Sequence, residues 1–316
     1  MTGAGGGSTP RAGAAAAGAT PAVPAWGGGE LLAAAAAEVA AACVSVALLW
    51  APQERLVWQP PRVRARDLVP PAGAARLDFR AGDGQPLLAW AVEPAAGARP
   101  ARAAGTLVAF HGNAELAAWG VPWARTVAER TGWRVVLPEY RGYAGLGGAP
   151  AYRHSAPDAW AAYEAVAARW GDAGRGAPLA LFGHSLGSAV AAELAAALAA
   201  AGRTPAALLL QSPFTSIRAM ARMHGWPGAD ALWARAARVH FDTAARVAEL
   251  DAPVWVAHGA MDAVVPAWMG RRVWAAARHP GDLLVIEGAG HNRVPERGGA
   301  RYWRWVGDAL AAPDPG

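Results

Sequence analysis

Between residues 106 and 287 the chain carries six short apolar runs: TLVAF (106–110), WRVVL (133–137), PLALF (178–182), AALLL (206–210), VWVAH (254–258) and LLVIE (283–287). Helical stretches separate them, and each run stops near Gly, Pro, His, Ser or Asp. Strands that are apolar along their whole length, joined through helices, predict a mostly parallel sheet with helices on both faces. Ahead of the first run, RLDFRA, Gly82-Asp83-Gly84 and QPLLAWAVE form the apolar–turn–apolar pattern of a β-hairpin. Residues 94–105 read as a Pro/Ala/Gly/Arg loop. The segment 212–250 exceeds what a simple crossover needs, and its helical pieces predict a small cap.

The first quarter of the chain follows no such rhythm. Residues 1–29 are Gly, Ala, Pro, Ser and Thr with almost no large apolar side chain, too little to offset the entropy of ordering, so they are expected to be disordered. Residues 31–50, LLAAAAAEVAAACVSVALLW, match the length of a bilayer span, and Trp26 and Trp50 flank them as interfacial aromatics would. Alanine is weakly apolar, and Glu38 inside the stretch is costly in lipid. An Ala-rich helix lying on the domain is therefore the alternative to a membrane anchor. Arg55, Arg62, Arg64 and Arg66 follow the stretch and only Arg11 precedes it, which for a spanning helix puts the following domain on the cytoplasmic side. The expected organisation is 1–29 disordered, 30–51 apolar helix, 52–74 linker and 75–312 a single α/β domain.

Composition adds little beyond this. The chain has no lysine, 16 tryptophans and a net charge of +5, a pattern set by Arg-, Ala- and Gly-rich coding rather than by a partner. No basic run of the kind that binds nucleic acid occurs. Cys43 is the only cysteine, which excludes an internal disulfide and a Cys-based metal site.

Ligands of such sheets bind beyond the carboxyl ends of the strands, so the residues right after each apolar run carry the candidate chemistry. Gly183-His184-Ser185-Leu186-Gly187 places a serine between a strand and a helix in the G-x-S-x-G pattern, where the glycines leave room for a sharp turn. A serine hydroxyl needs a base, and His291 follows the last run in Gly-Ala-Gly-His-Asn. Asp262 follows the preceding run in His-Gly-Ala-Met-Asp and is placed to orient that histidine. Asp242 and Asp251 compete for the role but precede their strand, at the wrong end of the sheet. Two backbone N–H groups are expected to meet a tetrahedral oxyanion: that of Leu186, and that of Asn113 in the loop after residues 106–110. His111 and His184 read as structural neighbours. His111, His184, His258 and His291 lack the short spacings of a metal site. Trp119 and Trp123 read as core packing, with pocket lining as the alternative.

On FHGNA, PEYRGYAGLGGAP, FGHSLGSAVA, LQSPFTS, HGAMDAVVP and GAGHN, residues 75–312 resemble the α/β-hydrolase superfamily. Within it they are similar to the membrane-anchored alpha/beta-hydrolase-domain serine hydrolases, a group that includes depalmitoylases and lysophospholipases; QERLVWQP resembles the juncture after their apolar helix. The resemblance implies Ser185, Asp262 and His291 as a triad, Asn113 and Leu186 as oxyanion donors, and cleavage of an acyl ester or thioester without cofactor or metal. Ala144-Gly145-Leu146-Gly147 stands where the group carries Gly-x-Ser, and Gln211 where it often carries an acidic residue. A serine aminopeptidase-like peptidase and a catalytically silent binding module are the alternatives.

Overall fold

The computed structural model describes residues 53–63, 69–94, 104–171, 178–225 and 227–311 of the 316-residue chain. Residues 1–29 and the apolar stretch 31–50 lie outside the described residues. Among the described residues, no helix is long and apolar enough to cross a membrane.

Among the described residues eight strands form one sheet: β1 (Ala75–Arg80), β2 (Pro86–Val92), β3 (Thr106–Phe110), β4 (Arg134–Pro138), β5 (Leu179–His184), β6 (Ala207–Gln211), β7 (Val254–Gly259) and β8 (Pro280–Ile286). Their order is β1-β2-β4-β3-β5-β6-β7-β8. The hairpin β1–β2 pairs antiparallel and β2 joins β4 antiparallel, while β4, β3 and β5 to β8 run parallel. The apolar runs produce this arrangement because successive side chains point to opposite faces. Val108 and Phe110 enter one core layer and Leu107 and Ala109 the other; Leu181 and Phe182, and Leu208 and Leu209, divide the same way. A strand buried on both faces has no position for a polar side chain, so the pattern is continuous rather than alternating.

The helices cover both faces. After α1 (Gln53–Val57), α2 (Val121–Thr131) follows β3, α3 (Tyr152–Trp170) follows β4 and α4 (Leu186–Ala200) follows β5. The segment after β6 forms α5 (Ile217–His224), α6 (Ala229–Ala236) and α7 (Thr243–Glu249), α8 (Ala267–Ala276) follows β7, and α9 (Val294–Ala311), broken at Gly299, ends the described chain. Helices α3, α4, α7 and α8 pack side by side on one face; α2 and α9 pack together on the other. Helices α5 and α6 pack on each other as the small helical cap expected over 212–250. The last strand starts at Pro280, earlier than the 283–287 run, because an edge strand needs only alternate residues buried and its Gly281 and Asp282 pass that weaker requirement.

Residues 53–63, expected as linker, instead form a turn of helix and a strap packed into the core. Gln53, Val57 and Trp58 are buried, and Trp58 meets the rings of Tyr140, Tyr143 and Phe241 edge-on. A buried tryptophan of this kind contributes stability through its large apolar area. Trp58→Ala is expected to cost about 3–5 kcal/mol of unfolding free energy, read from urea denaturation; a loss under about 1 kcal/mol would show that the strap only rests on the domain.

Candidate active site

In the turn between β5 and α4 the backbones of strand, turn and helix approach very closely. A Cβ on Gly183 would fall on the carbonyl of Gly187, and a Cβ on Gly187 would fall on the carbonyl of Phe110 in β3. Only glycine at both places lets strand, turn and helix approach so closely. Between them Ser185 takes φ 52° and ψ −114°, a conformation that L-residues rarely adopt. Such strain costs roughly 1–3 kcal/mol and persists only where the surroundings over-determine it. Here the Ser185 N–H donates to the Gln211 carbonyl at 2.9 Å, and the Ser185 carbonyl accepts the Ser188 N–H at 2.9 Å. The Ser188 hydroxyl donates to the Gly183 carbonyl at 3.0 Å. The Ser185 side chain is thereby held out beyond the strand ends.

His291, in the loop after β8, lies with Nε2 2.9 Å from Ser185 Oγ and Nδ1 2.7 Å from Asp262 Oδ2. The Ser212 hydroxyl donates to the His291 carbonyl at 3.3 Å, fastening that loop to the end of β6. Asp262, after β7, is buried. Its Oδ1 accepts the Val264 and Val265 N–H groups at 2.9 and 2.8 Å, and His258 Nε2 stands 3.3 Å from Oδ2. Burial alone would favour the protonated acid, but the hydrogen bonds from His258 and His291 and the backbone N–H hold its carboxyl well below the usual carboxylate range. An ionised Asp262 only accepts, so the His291 proton sits on Nδ1 and the Nε2 lone pair faces the serine O–H. The three residues, spread over 185–291, thus meet in one hydrogen-bonded line. The competing aspartates sit elsewhere: Asp242 caps α7 by accepting the Ala245 N–H at 3.0 Å, and Asp251 pairs with Arg278 at 3.1 Å.

Leu186 is the first residue of α4, where the helix supplies no acceptor for its N–H. Asn113 sits in the loop after β3, and its side chain is engaged with Val57, Gln59 and Tyr143. That loop is wired from below. His111 Nε2 lies 2.9 Å from Glu139 Oε1, the Tyr140 hydroxyl donates to the His111 carbonyl at 2.9 Å, and the Ala117 N–H donates to Glu139 Oε2 at 3.0 Å. Burial works against a charged His111, but the Glu139 carboxylate outweighs it and raises the imidazole above its ordinary value. Glu115 accepts the Gly112 N–H at 2.8 Å and lies 3.2 and 3.3 Å from His184 Nδ1. His184, the residue before Ser185, lies against His291 with ring centroids 5.2 Å apart.

A cavity of about 270 Å³ opens beside this network. Its lining includes His184 and Asn292, the chain neighbours of Ser185 and His291, with Glu115, and an apolar part to which Trp119, Trp123 and Phe182 belong. Trp119 is 57% exposed, so pocket lining rather than core packing is its place. Trp123 does both, packing on Phe182 and donating to the Tyr302 hydroxyl at 3.0 Å. Glu115 carries no strand-end signal. It stands three residues after Gly112, the spacing at which a Glu side chain reaches back to a backbone N–H ahead of a helical turn. Among the described residues no group of three His, Cys, Asp or Glu side chains is arranged to hold a metal ion.

Residues 101–241 match the family described as serine aminopeptidase, S33. An uncharacterized protein of Mycobacterium tuberculosis is 34% identical over 254 residues, covering 78% of this chain and 83% of that one. The lysophosphatidylserine lipase ABHD12 of Danio rerio is 34% identical over 161 residues, 48% of this chain and 41% of the lipase. Among solved structures, the Pyrococcus furiosus esterase Pf2001 superposes with a TM-score of 0.59 at 17% identity, over 79% of this chain and 95% of its own. The chain belongs to the α/β-hydrolase superfamily, and the class of protein this defines is a hydrolase.

The Glu115 carboxyl gives a test of the loop's wiring. Burial would raise it, but the hydrogen bond and charge of His184 and the Gly112 N–H bring it down to about 2 from an ordinary 4.5. A carboxyl lowered on folding stabilises the fold above its unfolded value, and that contribution is lost as pH falls toward its folded one. Glu115→Gln is expected to be less stable than wild type at neutral pH, with the gap closing between about pH 4.5 and about 2. A gap in urea stability that stays constant over that range would contradict the assignment.

Proposed function

We propose that this protein hydrolyses carboxylic esters or thioesters of lipid-like acyl groups through an acyl intermediate on Ser185. The observation that carries the reading is the hydrogen-bonded line from Ser185 Oγ through His291 to the ionised Asp262. In the first step His291 Nε2 takes the serine proton as Oγ attacks the carbonyl carbon, and Asp262 stabilises the imidazolium that forms. The negative charge developing on the carbonyl oxygen meets the N–H groups of Leu186 and Asn113. Donors fixed in advance are worth more there than in water because they need no reorganisation. Collapse of the tetrahedral adduct breaks the bond to the leaving alkoxide or thiolate, which takes the proton from His291. Water then repeats the sequence: His291 accepts its proton, hydroxide adds to the acyl carbon, and the acid leaves as Ser185 recovers its hydrogen.

The cavity supports the acyl side of this reading. Its lining reaches the site through His184 and Asn292, one residue from Ser185 and from His291 along the chain, and much of the rest of it is apolar. The alcohol departs before the second step, whereas the acyl group stays on the enzyme through both, so a largely apolar cleft suits the acyl group. The space corresponds to roughly nine water-sized units, enough for a medium-length chain. That ABHD12 is a lysophosphatidylserine lipase fits a lipid ester.

The family description favours peptidase activity as a second reading. An aminopeptidase needs a free carboxylate for the substrate's ammonium group. Glu115, the carboxylate at the cavity, already serves the Gly112 N–H and His184, which favours the ester.

Ser185→Ala is expected to lose labelling by a fluorophosphonate probe and to lower kcat by about 10⁴-fold or more; persistent labelling at another residue would refute the assignment. Across a series of nitrophenyl esters, kcat/KM is expected to rise about fourfold per added methylene until the cavity fills. Trp119→Ala is expected to flatten that slope while leaving the acetyl ester nearly unchanged. A flat wild-type series, or faster cleavage of an aminoacyl anilide than of any ester, would overturn the substrate class.

A further inference from the structure

Asn113 does more than offer a backbone N–H. Its side chain is the knot that ties the loop after β3 to the strap ahead of the sheet. Asn113 Nδ2 donates to the Val57 carbonyl at 2.6 Å, and the Gln59 N–H donates back to Asn113 Oδ1 at 2.9 Å. The Tyr143 hydroxyl donates to the same Oδ1 at 2.8 Å and lies 3.1 Å from the Gln59 nitrogen. The Ala114 N–H closes on Oδ1 as well, at 3.0 Å, and Ala114 itself takes φ 55°. A left-handed alanine is unfavourable unless its neighbours hold it. The turn that aims the Asn113 N–H is therefore stabilised by the amide side chain rather than by a glycine.

The strap end of this knot is fastened independently. Glu54 Oε2 accepts the Trp58 ring N–H at 3.1 Å and the Tyr152 N–H at 3.0 Å, at the start of α3. Gln53 reaches the cap: its Nε2 donates to the Ala236 carbonyl at 3.0 Å, and its Oε1 accepts the Arg238 N–H at 2.8 Å. One short segment thus holds the cap at one end and the loop bearing the candidate oxyanion donor at the other.

We infer that residues 53–59, through Asn113 and Tyr143, are positioning elements for the oxyanion site, so that catalysis depends on a segment lying before the first strand of the hydrolase sheet. This rests on the assignment of the Asn113 N–H as an oxyanion donor. A displaced donor weakens stabilisation of the transition state and leaves ground-state binding alone, so the loss falls on kcat rather than KM.

Three variants test it in the full chain with a nitrophenyl ester. Asn113→Asp keeps the backbone N–H and the side-chain shape but turns a donor into a carboxylate oxygen facing the Val57 carbonyl. Tyr143→Phe keeps the buried ring and removes only its hydroxyl. Glu54→Ala loosens the strap without touching the loop. The expected result is a fall in kcat of at least tenfold for Asn113→Asp, approaching the roughly 10²–10³-fold of a lost donor, and about threefold or more for the other two. KM should stay within about twofold of wild type, and fluorophosphonate labelling of Ser185 should slow in step with kcat. Wild-type kcat in both Tyr143→Phe and Glu54→Ala, or losses that appear only in KM, would overturn the inference; Tyr143→Phe decides alone if another variant fails to fold. Failure of the proposed acyl-Ser185 reaction, on which the donor assignment itself rests, has a different signature, activity that survives in Ser185→Ala.

Discussion

The site depends on one steric constraint, the contact between the backbones of β3, β5 and α4 at Gly183 and Gly187. With no side chain at either glycine, α4 starts directly against the carbonyl of Phe110. That closeness forces the single residue between strand and helix into a positive φ. A serine there cannot retreat into the helix or the sheet, so its hydroxyl stands free at the edge. The cost of that conformation is met by the buried sheet around it, where Leu181, Leu208 and Leu209 are fully enclosed. The tightly packed core is thus what makes a half-buried, strained serine sustainable.

Around this fixed point the strand ends supply polar groups in complementary states. Asp262 is held ionised by N–H groups and histidines despite its burial, which fixes the tautomer of His291. On the other side of Ser185, Glu139 and Glu115 hold His111, His184 and the Gly112 N–H, so the loop after β3 is rigid without being regular secondary structure. Each carboxylate is matched by donors, as the low dielectric of the site requires. The strap from Gln53 to Gln59 extends the same logic beyond the sheet, adding amide and hydroxyl groups to the Glu54 carboxylate.

The parallel sheet was legible because its strands are buried on both sides, and a doubly buried strand has no freedom to carry polar residues. The positions of Ser185, Asp262 and His291 at strand ends were legible for a related reason: polar residues directly after apolar runs are forced to the rim. What lacked such a signal was missed. QERLVWQP reads as polar linker since Gln53, Glu54 and Gln59 are buried or engaged through long-range hydrogen bonds that leave no periodicity. Trp119 looked like core because a tryptophan is usually buried, whereas here it rims a cavity. The start of β8 slipped because an edge strand tolerates Gly281 and Asp282. In each case the deciding partner lies far away in sequence: Val57 with Asn113, Gln53 with Ala236, Tyr302 with Gln211.

The central claim is that chemistry passes through a covalent bond to Ser185, and a nitrophenyl carbamate tests it most directly, since a carbamoyl-serine hydrolyses slowly enough to isolate. Mixing the protein with excess carbamate should release nitrophenol equal to the protein present. Peptide mass mapping should then find the added carbamoyl mass on the segment containing Ser185. Nitrophenol released without any covalent mass, or a mass carried by a different residue, would contradict the account.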